Sequence, residues 1–190
     1  MQISSTGLRA LLGFVLASIP VLASDVPGIH NFDRVDNHVY RGGQPSEEGF
    51  KYLAKSGVKT VVDLREADSR AKAEERTVTA DGMTYVNVPM TGLTPPSEAE
   101  IAKLLSLLED PNSGPVFVHC KRGADRTGAV VAAYHIHHDK WDNSHALADA
   151  KAHSMSPFQI PRQNFIRNFE ARGSGSAASL AIATAVPATN

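Results

Sequence analysis

A disulfide within the chain is excluded at once, because its 190 residues contain a single cysteine, Cys120. Charge of one sign is also lacking: 19 Lys and Arg stand against 20 Asp and Glu, a formal net charge of −1. With so little net charge, no global field draws the chain toward nucleic acid or an anionic membrane. Any affinity for an anion has to come from local placement of cations. Long hydrophobic runs are missing as well. The longest N-terminal run, Ala10 to Ile19, ends at Pro20 and falls short of the roughly 20 residues of a membrane-spanning helix. No internal repeat is visible.

What is present at the N-terminus has the form of a secretory signal. Arg9 precedes the apolar run, and Val21-Leu22-Ala23 supplies a small-residue cleavage site. The expectation is export to a secreted or periplasmic location with cleavage near Ala23, giving a signal peptide over 1–23. An uncleaved N-terminal anchor is the alternative, and cleavage would leave no stable membrane insertion. From Gly173 to Asn190 the composition narrows to small residues with no aromatic, which reads as a flexible tail. Residues 24–172 are then one domain, a size ordinary for a single core.

Within that domain strands and helices alternate. Val26 to Asp36 is irregular or an edge strand, and His38 to Arg41 is a short strand closed by Gly42, Gly43 and Pro45. Ser46 caps a helix that ends at Gly57. Val58 to Leu64 is rich in β-branched residues and reads as a strand. A charged helix covers Ala71 to Ala80, and a strand runs from Met83 to Met90 after the Asp81-Gly82 turn. Ser97 and Glu100 form a capping box ahead of Ile101, Leu104, Leu105 and Leu108, spaced as one buried face. Pro115 to His119 is a strand, and a helix starting near Arg126 has no polar face for two turns. Trp141 to Ser144 makes a turn and a cap, and helices follow over His145–His153 and Pro161–Arg172. The pattern predicts an α/β domain with a largely parallel central sheet flanked by helices and its site at the carboxyl ends of strands.

The lone cysteine sits on the loop His119-Cys120-Lys121-Arg122-Gly123-Ala124-Asp125-Arg126-Thr127-Gly128, between a strand and the buried helix. A phosphate ester repels nucleophiles, so attack on it needs a thiolate or similar group and donors for its oxygens. Backbone amides from Lys121 to Arg126 can form an anion-binding nest at the positive end of the helix. The same field lowers a thiol pKa from about 8.5 toward the ~3.5–7.5 of activated cysteines. His119 can help hold that thiolate. Arg126 offers a planar fork for two phosphate oxygens, and Thr127 can donate to the sulfur when it leaves a phosphocysteine.

These residues resemble the signature loop of the cysteine-dependent tyrosine and dual-specificity phosphatases, His-Cys, five residues, Arg and then Ser or Thr. Val39-Tyr40-Arg41-Gly42-Gly43-Gln44-Pro45, Val58 to Arg65 and Val86 to Met90 resemble their compact atypical branch, over roughly Phe32 to Phe169. The resemblance implies that Cys120 is the nucleophile, Arg126 the phosphate binder and Thr127 the assisting hydroxyl. It further implies that Arg41 and Gln44 border the pocket, although they can equally form a structural corner. Relatives usually carry an aspartic acid on a loop about 30 residues before the cysteine. Here that loop reads Thr91-Gly92-Leu93-Thr94-Pro95-Pro96, without a carboxylate. Asp125 is the candidate replacement general acid, with a bracing role in the loop as the alternative. Asp68 and Glu98 are weaker candidates.

Lys121 and Arg122 suggest a substrate with several phosphates or acidic neighbours, or else are solvated surface charges. Asp63-Leu64-Arg65 reads as an internal charge pair. The histidines at 135, 137, 138, 145 and 153 show no zinc spacing, so no metal and no cofactor is expected. The expected substrates are a phosphorylated protein, an inositol phosphate or a phosphoinositide. Nucleic acid is not expected as a partner. A phosphate-binding module without turnover, and a sulfur-transfer or arsenate-reducing enzyme, are the rival readings.

Overall fold

A computed structural model describes residues 26–171; the expected signal peptide and tail lie outside the described residues. A five-stranded sheet is ordered β1-β2-β5-β3-β4. Its strands are β1 Asp33–Arg34, β2 Val39–Gly42, β3 Thr60–Asp63, β4 Thr84–Asn87 and β5 Val116–His119. Only β1 pairs antiparallel, at the edge, and the other neighbours are parallel, so the largely parallel sheet expected from alternating elements is what forms. β5 lies in the middle, with Val118 opposite Arg41 on one side and Val62 on the other. Its four residues are buried, as suits a parallel strand covered on both faces.

Alternation along β5 sorts its side chains. Val116 and Val118 point into a core with Val39, Val62, Leu64 and the faces of α3 Glu98–Glu109 and α4 Asp125–His137. Phe117 points to the opposite core, with Phe50 and Leu53 of α1 Glu47–Lys55 and Val78 of α2 Ser69–Ala80. Two further helices, α5 Asn143–Ala152 and α6 Ile160–Asn168, close over α4 through Ala129, Ala132, Ala146, Ala150 and Ile166. α4 is thus buried nearly all round, with Thr127 to Ala133 at 1% exposure or less apart from the buried Gly128, as its uniformly apolar sequence requires.

Local chemistry sets the boundaries. The Ser97–Glu100 capping box is formed. α2 begins at Ser69, earlier than the expected Ala71, because the Asp68 carboxylate accepts from the Arg70 and Ala71 amides. Asp142, within the expected Trp141 to Ser144 turn, caps α5 in the same way. The strands around β3 and β4 are shorter than expected, and α6 ends at Asn168 rather than Arg172.

Candidate active site

β5 ends at His119 and α4 begins at Asp125, so Cys120 to Ala124 form the tight loop between them. α4 has no side-chain cap, since its N-cap is Ala124. The amides of its first turn have no intrahelical acceptor and leave the positive end of the helix open toward the loop. Gly123 carries a φ of +70°, and a Cβ there would lie 2.4 Å from the carbonyl carbon of Gly42. Glycine is required on both counts. The Gly42-Gly43 corner is the surface on which the loop turns, and the Gly43 and Gln44 amides donate to His30 and Lys121 carbonyls at 2.7 and 3.3 Å.

Cys120 is 3% exposed. Burial alone pushes a thiol pKa up, but here the Thr127 hydroxyl, the Thr127 and Arg122 amides and the Arg126 charge outweigh it and hold Cys120 below its ordinary value. The fully buried Thr127 hydroxyl is the side-chain donor that acts on the sulfur. Arg126 is held at the mouth. Its Nη1 donates to Glu66 Oε2 at 3.0 Å, Met90 O at 3.1 Å and Leu64 O at 3.5 Å, and the Glu66 side chain is half exposed.

The remaining expected site residues fall into two groups. His119 is fully buried, stacked on Phe117, with Nε2 2.8 Å from Glu74 Oε1 and Nδ1 3.4 Å from the Cys120 carbonyl oxygen. The 2.8 Å contact lacks hydrogen-bond geometry. It links the residue before the cysteine to a network in which Arg65 holds Asp63 and Glu74, while Gln44 and Tyr85 donate to Glu74 and Asp63. The Asp63-Arg65 charge pair is therefore formed. Although Asp63, Glu74 and His119 place ligand atoms within 4.8 Å of one another, the Arg65 guanidinium already holds both carboxylates. Arg41 is 1% exposed and donates to Gly123 O and Asp149 Oδ2, both at 3.2 Å. The structural-corner reading describes its placement behind the loop, and Gln44, held on Glu74, lies there too.

Lys121 and Arg122 are exposed, but Arg122 closes on Asp125 Oδ2. The other oxygen of Asp125 accepts from the Ser156 amide at 2.8 Å, so this carboxylate braces the loop against the approach to α6. Asp68 serves as the cap of α2; hydrogen bonds from Arg70 hold it down to about 2, which suits an anion and not a proton donor. Glu98 lies in the first turn of α3. The histidines are engaged separately: His135 and His145 sandwich Trp141 at 3.9 Å each, His138 stacks on Tyr134, His137 lies 3.5 Å from Glu109, and His153 contacts Asp149 and Asp33.

Three contributors escaped the sequence analysis. Asn31 Nδ2 donates to the Gly123 and His153 carbonyls. Glu74 sits on the buried stripe of α2 with Ala71 and Val78. Arg162, 0% exposed, donates to Thr91 O at 2.6 Å and Gly92 O at 2.8 Å. Burial pulls its pKa down and Arg126 adds to this, while the negative charges of Asp125 and Cys120 oppose it. The signal for Arg162 was its spacing: with Phe165, Ile166 and Phe169 it lies at i, i+3, i+4 and i+7, a charge on an apolar stripe.

A buried low-pKa cysteine and an arginine on one glycine-turned loop, between the central strand of a parallel sheet and an uncapped buried helix, define the fold and site of the dual-specificity phosphatase class. The chain belongs to the family described as "DSP-PTPase phosphatase fused to NAD+ Kinase", whose model matches residues 21–168, and its neighbours place it in the compact atypical branch. It is 34% identical over 119 residues to "Probable NAD kinase 2, chloroplastic" of rice, covering 60% of this chain and 12% of that protein. To the dual specificity protein phosphatase TpbA of Pseudomonas aeruginosa it is 32% identical over 131 residues, 68% of this chain and 57% of TpbA. The chain thus spans only part of the length of these relatives. In fold it is similar to the catalytic core of the PP-IP phosphatase SIW14 of S. cerevisiae, with a TM-score of 0.67 at 21% identity over 74% of this chain and 86% of that one. TpbA follows with 0.64 at 23%, over 76% and 92%.

Proposed function

We propose that the chain is a phosphatase that hydrolyses phosphate monoesters through a phosphocysteine on Cys120. The observation that carries this is the buried thiol held below its ordinary pKa by Thr127, the Arg122 amide and Arg126. The Cys120 thiolate attacks phosphorus, the ester oxygen departs with a proton, and phosphate is held on sulfur. Water then cleaves the S–P bond and the thiolate returns, assisted by the Thr127 hydroxyl. Amides of residues 121–126 and the Arg126 fork face the equatorial oxygens, whose charge is what a transition-state site has to match. Arg126 has to turn from Glu66 and the Met90 carbonyl to do so. The double displacement runs without a metal, so activity is expected to persist in chelator.

Asp125 has two roles open to it. Its contacts with Ser156 and Arg122 support bracing; protonation of the leaving oxygen requires Arg122, whose side chain is 62% exposed, to swing away. Asp125→Asn separates them. A general acid gives a large loss on an alkyl phosphate and a small one on an activated aryl phosphate, whereas a brace gives similar losses on both.

The substrate is a phosphorylated protein, an inositol phosphate or a phosphoinositide. TpbA is titled a dual specificity protein phosphatase, SIW14 a PP-IP phosphatase, and an Arabidopsis relative at 24% identity an inositol diphosphatase. The export signal over residues 1–23 belongs to the same proposal, and N-terminal sequencing of exported protein checks it. Purified protein and Cys120→Ser are to be assayed on phosphotyrosine and phosphoserine peptides, inositol phosphates and phosphoinositides. Hydrolysis by the native chain and none by Cys120→Ser is expected; tight phosphate binding with no hydrolysis of any member would overturn the proposal in favour of a binding module.

A further inference from the structure

Among the described residues, the large apolar side chains left in solvent are Leu93 at 77% exposure, Phe158 at 89% and Ile160 at 52%. They come from two distant stretches, the loop after β4 and the approach to α6. Hydrogen bonds bring these together. Gln159, between Phe158 and Ile160, donates to the Gly92 carbonyl beside Leu93 at 3.1 Å, and buried Arg162 grips Thr91 and Gly92. The ledge so formed is tied twice to the catalytic loop, through Ser156 N on Asp125 at 2.8 Å and Arg126 on the Met90 carbonyl at 3.1 Å. Single exposed apolar residues are ordinary, but three gathered at the rim of one site mark a contact surface.

Charge around the mouth argues for the kind of partner. Arg122 is closed on Asp125, Arg126 on Glu66 and, beside Glu66, Arg70 on Asp68. Each has a carboxylate against it, and Lys121 is the loop cation with no ion pair among the described residues. One phosphate is well served by the loop. A ligand carrying many phosphates, or an anionic bilayer, would meet few cations that are not already neutralised.

Resting on the phosphatase reading, we propose that Leu93, Phe158 and Ile160 form a docking ledge for a protein substrate, receiving a bulky apolar side chain next to the phosphorylated residue. With the phosphate in the loop, the adjoining residues of an extended peptide cross the rim, and a neighbouring leucine or phenylalanine gains apolar contact that serine cannot make. Burying part of one such side chain is worth roughly tenfold in kcat/KM.

The test uses two phosphotyrosine peptides that differ only in Leu or Ser on either side of the phosphotyrosine, together with p-nitrophenyl phosphate. Wild type is compared with the triple variant Leu93→Ser, Phe158→Ser, Ile160→Ser, whose exposed positions should leave Tm nearly unchanged. Wild type is expected to prefer the Leu peptide about tenfold and the triple variant to lose that preference, with p-nitrophenyl phosphate turnover altered less than about twofold. Equal rates of wild type on the two peptides, or a preference that survives the triple change, would overturn the ledge while the phosphatase reading stands. Failure of folded wild type to hydrolyse any of the three overturns the ledge, and the phosphatase reading falls with it only if inositol phosphates and phosphoinositides are also left intact. A further arm uses a phosphoinositide in phosphatidylcholine vesicles. Loss of vesicle activity in the triple variant with both peptides unaffected would make the rim a membrane contact and overturn the proposal.

Discussion

The Cys120 loop has two faces, and they are held in different ways. Behind it, Gly123 O takes hydrogen bonds from Arg41 and Asn31, the Gln44 amide reaches Lys121 O, and His119 contacts Glu74. Arg41, His119 and Glu74 are all at 5% exposure or below. In front, Arg126 rests on half-exposed Glu66 and on carbonyls, and Arg122 covers Asp125 from solvent. Contacts in front can be displaced by a ligand; those behind cannot break without leaving a buried polar group unpaired. The back therefore fixes the shape of the anion nest, and the front adapts to what enters it.

Changes on the two faces should part company in what they alter. Arg126→Lys, in front, is expected to lower kcat by about 10²–10³ with little change in Tm, because an ammonium cannot reproduce the two-pronged contact; steady-state kinetics and a melt on the same preparation check it. Gly123→Ala, behind, combines a positive φ with a Cβ clash against Gly42 and is expected to cost about 2–3 kcal/mol in denaturant unfolding, with activity falling alongside. A loss of activity at unchanged stability there would dissolve the distinction.

Arg162 sharpens the comparison because it touches both faces of the argument: it is buried like the back, yet it holds the rim. Arg162→Met should release Thr91 and Gly92 and remove a positive charge from the field of Cys120. The pH midpoint for alkylation of Cys120 by iodoacetamide is expected to rise, lowering the rate near neutral pH several-fold. Gln159→Ala, which removes a donor to Gly92 and an acceptor of Arg162 but no charge, should leave that midpoint in place.

The smallest effect is at the outer end of the back. His153 is raised above its ordinary 6.5, chiefly by its hydrogen bond to Asp149. A raised folded pKa means stability fully present below about pH 6.5 and lost as pH rises through the folded value. The Tm difference between wild type and His153→Gln should thus be larger at about pH 5.5 than at about pH 8, corresponding to ~0.5 kcal/mol.

Legibility from the sequence follows the same division. The front of the site lies within one contiguous stretch, His119 to Gly128, where the strand, the glycine turn and the apolar helix all bear on neighbouring residues. The parallel sheet was legible because β5 and β3 each carry apolar or β-branched runs bounded by turns. Of the back, only the Arg41-Gln44 corner and the Asp63-Arg65 pair were legible; the partners that hold the loop depend on long-range closure. Asn31 meets His153 across 122 residues and Arg162 meets Thr91 across 71. Only the placement of Glu74 and Arg162 on apolar helical stripes hinted that they face inward, and nothing in local spacing named their partners. For Asp125 the sequence offered two roles, and the contact with Ser156 that supports bracing comes from 31 residues away.

Trapping the intermediate tests the central claim most directly. Protein mixed with a phosphate-labelled aryl ester is quenched in acid within the first turnover and digested for peptide mapping. One labelled phosphoryl group on the Cys120 peptide is expected, longer-lived in Thr127→Ala and absent in Cys120→Ser. Full turnover by the native chain with no label on Cys120, under conditions that preserve the thiophosphate bond, would contradict it.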